Sequence, residues 1–427
     1  MKKVIVSLMV LLLAFSLVFA SGSNEATGAK KHLTMLMYSS AAVQAQLKEV
    51  LVPFEEANNC EVEVIIVPKA EYLQKITTMI SSGNAPDVYW AAEYATAQYY
   101  SLGLLTDLSD FENDADWDGA DFAAGQKAHW TIDGKLVGVP FSGPPIVCFY
   151  NKTAIQAAGL KTPTELYEAG EWTADAMLDI ARKVADVKNG LYGIDFTRGG
   201  VWGDWDTPLT PVLRLYGGDA WSEDFKTVLI NSEASVKGLQ AYYDLLFVDK
   251  VHPMPGTAVD FLSGQVALAP LYFSSITKMK DLSFEFGVVP MPSDGKGGIS
   301  SYAGNAAYAV CPNTKNMELA KAMVKFLTSK QVCAALEDTF VPVRMSVITS
   351  EEYRTGHNGQ IPRPDEKSFD YCITETFPLV RVKLSHPNYD ELRQAMNADL
   401  DLMYTQQLTA KEVSDVLAAT MEPLMVK

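Results

Sequence analysis

Apolar and polar positions along this chain follow two periods that alternate. Residues 33–37 (LTMLM) form a short, nearly unbroken apolar run of the kind a buried strand shows. Val43, Leu47, Val50, Leu51 and Phe54 follow at the spacing of one helix face, with Pro53 expected to kink that helix or end it early. A strand is predicted over 62–67 and a helix over 71–80, closed by Ser82-Gly83-Asn84; another strand follows at 86–90. The alternation resumes with a strand at 146–150, a helix at 174–187, a helix at 233–248, and strands at 265–272, 284–290 and 306–310. From 317 to 327, 389 to 404 and 410 to 422 the pattern is helical, and Val413, Val416, Leu417 and Met421 give the last stretch its apolar stripe. Strands alternating with amphipathic helices predict an α/β fold with mainly parallel sheets. Pro/Gly-rich breaks at 138–145, 197–218 and 290–304 are where crossovers or cleft loops are expected.

With 427 residues the chain has room for two or three domains of about 150 residues each. Hydrophobic residues at 48% and charged residues at 20% support sizeable cores and exclude disorder throughout. Acidic residues outnumber basic ones 52 to 35, for a net charge of −17. That field repels the phosphates of nucleic acids and anionic membranes, so neither is an expected partner.

The first residues change the picture of location. Lys2 and Lys3 precede an uncharged apolar stretch ending on Val18-Phe19-Ala20, with small or compact residues three and one positions before Ser21. This is the layout of a secretory signal peptide over 1–20, followed by a small, polar, flexible leader over 21–30. A retained membrane anchor is the rival; the apolar stretch is at the short limit for spanning.

Catalytic signatures are missing. There is no G-x-S-x-G, H-E-x-x-H, P-loop or G-x-G-x-x-G. The five His stand isolated, and the acids are too many for chance pairs to mean anything. No enzyme activity and no cofactor are expected. Cys60, Cys148, Cys311, Cys333 and Cys372 are odd in number and contain no CxxC, so buried thiols are the preferred reading and one long-range disulfide the alternative. Asp114-Ala115-Asp116-Trp117-Asp118-Gly119 has the spacing of half a calcium loop, but Gly125 stands where the closing acid belongs. A solvated acidic loop is expected there, and no metal site.

Several segments in chain order resemble the extracellular solute-binding proteins of ABC importers, in the sugar-binding group that includes maltose-binding protein. They are 75–88 (KITTMISSGNAPDV), 103–108 (GLLTDL), 133–140 (DGKLVGVP), 149–152 (FYNK) with 158–160 (AGL), 261–268 (FLSGQVAL) and 304–327. Val137 replaces an aromatic of the family pattern. The resemblance covers nearly the whole mature chain. It implies two α/β lobes joined by a multi-segment hinge near 141–147, 297–302 and 342–348. The N-lobe would be 31–143 and 301–345, and the C-lobe 144–300 and 346–427. It also implies a secreted, periplasmic monomer that holds a sugar, an oligosaccharide, in the cleft and hands it to the transmembrane subunits of an ABC permease. Another polar solute (a polyol or glycerol phosphate) is the alternative, and a secreted carbohydrate-active hydrolase the competing class.

Sugars combine hydroxyls with flat C–H faces, so aromatic platforms beside carboxylate, amide or guanidinium partners are the residues to seek. Trp90 and Glu93 stand three apart, as a Trp and an acid do in the sugar-contacting segment of the maltose-binding group; Tyr94 replaces the basic residue that follows there. Trp202, Trp205 and Asp206 crowd a Gly-rich loop without periodicity. Tyr38 and Ser39 end the first strand, where open α/β sheets bind ligands. Phe273 (or Tyr272, one residue away), Gly304, Asn305 and Arg344 complete the candidates, whereas Trp172 resembles a structural Trp of the family. The mature protein is expected to start near Ser21 and to be soluble without detergent, which N-terminal sequencing of the secreted product checks; a membrane-bound product starting at Met1 contradicts it.

Overall fold

The computed structural model describes residues 30–197, 206–292, 300–359, 361–382 and 385–426. The expected signal peptide, and the leader up to residue 29, lie outside the described residues. The chain divides into two compact units: the described residues up to Trp90 with Asn313–Leu327, and Ala91–Pro312 with the chain from Thr328 onward.

The first unit is built on parallel strands. Strand β1 (Lys31–Met37) pairs with β2 (Cys60–Ile66) from Lys31↔Cys60 to Met37↔Ile66. On its other side β1 pairs with β3 (Val88–Ala91) through Met35↔Val88 and Leu36↔Tyr89. The order β2-β1-β3 makes β1 the strand at which the direction of winding reverses. Helix Ala41–Asn58 links β1 to β2, capped by Ser40 Oγ accepting from the Val43 N–H and burying Leu47, Leu51 and Phe54. Pro53 neither ends nor shortens it, against the sequence expectation. One backbone bond is forgone, while the buried stripe continues on both sides of the proline, and the packing of that stripe outweighs a loss of about 3 kcal/mol.

A buried carboxylate ties the returning segment 313–327 into this unit. Asp87 Oδ2 accepts from the Thr34 backbone N–H at 2.7 Å and from Thr34 Oγ1 at 3.3 Å. Its other oxygen, Oδ1, accepts from Asn316 Nδ2 at 3.2 Å and from Thr314 Oγ1. Asn316 Nδ2 also donates to the His32 carbonyl, and helix Met317–Leu327 begins immediately after.

The second unit carries a four-stranded sheet whose inner strand Ile146–Asn151 pairs antiparallel with both Phe286–Pro290 and Val266–Tyr272. Only Tyr192–Ile194 runs parallel to its neighbour, Val266–Tyr272. The sheet is therefore mixed rather than mainly parallel, because an apolar run buried on both faces looks the same in either direction. Helices Tyr389–Tyr404 and Ala410–Met421 bury Leu392, Met396, Leu417 and Met421 in its core. All three expected breaks contain regular structure, the third only the two-residue strand Tyr302–Ala303. Val139–Ser142 is a strand, paired antiparallel with Ala306–Val310, and Asp206–Arg214 is a helix with Pro211 inside it. All five cysteines are buried and unbridged.

Asp87→Ala should cost about 3 kcal/mol, since it strands donors on both β1 and the 314–316 segment. Denaturant melts check this, and a loss within about 0.5 kcal/mol would show that the return is held by packing alone.

Candidate solute-binding site

In an open parallel sheet, ligands meet the carboxyl ends of strands where the winding reverses. Here that point lies between β1 and β3, and Tyr38 and Trp90 stand at it. Both are half-buried, and their ring centroids are 4.7 Å apart at an interplanar angle of 37°. Tyr72 supports them from below: its ring meets Tyr38 edge-on at 5.0 Å, and its hydroxyl donates to the Leu36 carbonyl at 2.7 Å. Tyr72 itself is buried, so the accessible rings are Tyr38 and Trp90, with half-buried Ser39 beside them. The two rings form a half-buried aromatic platform at the strand ends.

Glu93 opens the short 3₁₀ turn Glu93–Ala95 in the second unit and is 8% exposed. The turn is pinned by His129, whose Nε2 lies 3.0 Å from the Glu93 carbonyl and 2.8 Å from Thr96 Oγ1. A carbonyl only accepts, so Nε2 carries the proton. Burial pushes the His129 imidazole down to about 4, partly offset by that hydrogen bond, and the ring is neutral at pH 7. Tyr94, next in the chain, packs on Tyr389 at 5.1 Å.

The remaining candidates divide. Trp202 and Trp205 lie outside the described residues, and Asp206 is the first residue of helix Asp206–Arg214. Phe273 is fully buried against Phe369, a packing residue rather than a ligand surface; the half-exposed ring on that turn is Tyr272. A Cβ at Gly304 would lie 3.7 Å from Tyr272. Gly304 donates its N–H to the Pro144 carbonyl. Asn305 is wholly buried, with Nδ2 donating to the Gln126 carbonyl at 2.7 Å.

Arg344 is the clearest correction. It is 3% exposed, and its guanidinium donates to the carbonyls of Thr328 (2.6 Å), Trp117 (2.7 Å) and Asp118 (3.2 Å) and to Asp121 Oδ2 (3.2 Å), while lying over the Phe122 ring at 4.2 Å. Four of the five N–H donors of its fork are used within the protein, and at 3% exposure the group is buried away from any solute. The same contacts explain the acidic loop: it curls around an arginine, with Asp118 in the left-handed region (φ 48°), and its inward carbonyls serve that cation. Among the described residues no group of three His, Cys, Asp or Glu could hold a metal.

Sequence reasoning missed Gln126, 1% exposed on the six-residue helix Ala124–His129, which is too short to show a period. It also missed a crevice of about 10 Å³, room for about one water, lined by Ser274, Thr277, Glu337, Tyr353 and Arg363, where burial raises the Glu337 carboxyl to about 7. That crevice is smaller than sites that enclose drug-sized ligands, and none of the candidate residues lines it.

His129 generates a pH prediction. Its folded pKa lies below the ordinary value near 6.5, so the stability it contributes is present above pH 6.5 and is lost as pH falls toward 4. Replacing it by glutamine keeps a donor for the Glu93 carbonyl and removes the titration. Stability should therefore fall more steeply in the wild type than in His129→Gln over that window, by about 3 kcal/mol in total. Denaturant melts at stepped pH read this, and parallel curves would place the acid sensitivity elsewhere.

With the geometry in place, likeness to known proteins becomes informative. Residues 49–358 match the family described as bacterial extracellular solute-binding protein. The arabinooligosaccharide-binding protein of Bacillus subtilis is 24% identical over 386 residues, covering 83% of each chain. An ABC substrate-binding protein of Listeria monocytogenes in complex with cycloalternan superposes with a TM-score of 0.77 at 20% identity, covering 92% of this chain and 99% of that one. An ABC transporter solute-binding protein of Agrobacterium radiobacter in complex with ribitol gives a TM-score of 0.74 at 19% identity, covering 93% and 100%. These likenesses fix the fold as the two-lobe α/β fold of solute-binding proteins. The family match extends over most of the chain, and the protein belongs to the bacterial extracellular solute-binding proteins.

Proposed function

We propose that the mature protein is a secreted, periplasmic, monomeric carrier that captures a sugar, an oligosaccharide, in a cleft between its lobes and delivers it to the transmembrane subunits of an ABC permease. It does so without chemical change to the solute. The lobes are 31–143 with 301–345 and 144–300 with 346–427, limits that rest on the family resemblance and differ from the compact units described above. The observation that carries this reading is the half-buried Tyr38–Trp90 platform at the carboxyl ends of β1 and β3. Family membership and the arabinooligosaccharide-binding relative support it. Ring stacking and hydrogen bonds from Glu93 and from the 202–206 loop would supply orientation, and their combined binding energy would shift an open–closed equilibrium. Micromolar affinity, about −8 kcal/mol, suffices for such a carrier.

A thermal-shift screen over mono-, di- and oligosaccharides and polyols tests this reading, because a solute that binds only the folded state raises the melting temperature. The stabilising compound should be an oligosaccharide, recovered unchanged after heating; consumption at catalytic rates would instead reveal a hydrolase, and stabilisation by polyols alone would shift the solute class. In titration calorimetry Trp90→Ala should weaken binding by about 1–3 kcal/mol, about 5- to 150-fold. Glu93→Gln, which removes the acceptor's charge, should cost about 1.5–3 kcal/mol. Unchanged affinity with lost fold stability would assign both residues to packing.

A further inference from the structure

We propose that Arg214 is a solute-binding residue of the second unit, and that it recognises hydroxyl and ring oxygens of an uncharged solute rather than an anion. The inference rests on the carrier reading above and deepens it by naming the charge class of the solute. Arg214 ends helix Asp206–Arg214 and is 1% exposed. Its Nε donates to Asp219 Oδ2 at 3.0 Å. Nη2 stands 3.0 Å from the same oxygen, an ion-pair distance, yet neither Nη1 nor Nη2 has a hydrogen-bond partner among the described residues. Four of the five N–H groups of this fork are thus buried and unmatched. Arg344, at 3% exposure, uses four of its five. An arginine that only braces a fold should look like Arg344, because each unmatched buried donor destabilises the folded chain. Arg214 does not look like that.

The surroundings fix the guanidinium and its counter-ion. After the helix, the Gly217 N–H donates to the Arg214 carbonyl at 3.1 Å and the Gly218 N–H to the Leu213 carbonyl at 3.0 Å, which turns Asp219 back toward Arg214. The Asp219 N–H donates to Ser235 Oγ at 3.1 Å, and that hydroxyl donates to the Asp219 carbonyl at 2.9 Å. A Cβ at Gly218 would lie 2.5 Å from Ser235 Oγ and 2.7 Å from the Ser235 backbone, so only glycine permits this turn. Asp219 therefore holds one edge of the fork. The guanidinium carbon also lies 6.0 Å from the centre of the buried Tyr302 ring, and Tyr302 meets Tyr272 edge-on at 6.2 Å. Tyr272 is half-exposed and ends strand Val266–Tyr272, which runs parallel to Tyr192–Ile194. Arg214 thus stands one ring behind the carboxyl end of a parallel pair, the end at which α/β sheets take ligands. The balance of charge then selects the class of solute. Asp219 already offsets the arginine, so the unmatched N–H groups lack acceptor lone pairs, not negative charge. A uronate or phosphate would add a second anion beside the Asp219 carboxylate, in a chain of net charge −17. Hydroxyl and ring oxygens supply the acceptors without that repulsion.

The test has one arm without solute and one with it. The double variant Arg214→Met with Asp219→Asn removes both charges and the unmatched donors, so in the absence of sugar it should melt at or above the wild-type temperature. A melting temperature lower by more than about 5 °C, or failure to fold, shows that the pair braces the fold and overturns the proposal. In the second arm, titration calorimetry uses arabinotriose, maltotriose and the matched pair galactotriose and trigalacturonate, which differ by oxidation at C6. Arg214→Lys keeps the charge beside Asp219 and loses the planar fork. A neutral trisaccharide should bind the wild type, and should bind Arg214→Lys and the double variant about tenfold or more weakly. Equal affinity of wild type and Arg214→Lys for that sugar overturns the role of Arg214 and leaves the carrier reading intact. Tighter binding of trigalacturonate than of any neutral sugar overturns the charge class. Binding of none of the four overturns the oligosaccharide reading together with this inference.

Discussion

The first unit depends on one carboxylate. Asp87 sits between β1, through Thr34, and the segment that re-enters from the far end of the chain, through Thr314 and Asn316. More than two hundred residues separate these partners, so loop closure disfavours their meeting, and only an interaction with several simultaneous bonds repays it. The bonds leave neither carboxylate oxygen idle, which is what allows a 6%-exposed charge to be an asset. Once the return is pinned, helix Met317–Leu327 packs on the helix that follows β1 (Phe326 against Phe54), and the order β2-β1-β3 has its outer layer. The aromatic platform follows from that order, because Tyr38 and Trp90 leave adjacent strands at the same end.

Arg344 does the equivalent in the second unit. It gathers carbonyls from Trp117, Asp118 and Thr328 and the Asp121 carboxylate around one guanidinium. A stretch of 3₁₀ turns from Ser109 to Asp121, with no periodicity of its own, thereby acquires a fixed shape. Of its acids only Asp121 meets the guanidinium with its carboxylate; Asp118 contributes its backbone carbonyl, and Asp114 accepts from the Asp116 N–H.

Elements with a long, clean period were legible in the sequence: 317–327 and 389–404 are read to the residue, because three or more turns of amphipathic pattern admit one register. The longer strands were legible too, but not Val139–Ser142, which reads as a Pro/Gly break, nor the three-residue Tyr192–Ile194; nor was strand direction, since pairing across the sheet leaves no mark on a run buried on both faces. Among the candidate contacts, Tyr38 stands out because strand ends in an α/β sheet are few, and Trp90 because its spacing to Glu93 resembles that of the family. Phe273 and Tyr272 were separable only by structure, for a one-residue step on the turn after Val266–Tyr272 exchanges core for surface. Arg344 was unreadable for a different reason. A charged residue held by backbone carbonyls 16 and more than 220 positions away has no local signature. Gln126 was unreadable because its helix, Ala124–His129, is too short to show a period.

The contrast between these buried polar groups carries the physical logic of the protein. Asp87 and Arg344 are saturated, and saturation in a low-dielectric interior produces rigidity, since any displacement breaks several strong bonds at once. They hold the framework on which the strand ends are displayed. The Gln126–Asn305 pair is buried as deeply, but three of its amide atoms have no hydrogen-bond partner among the described residues. A partly satisfied polar pair adds less to rigidity than a saturated one, so the framework rests on Asp87 and Arg344 rather than on every buried polar group.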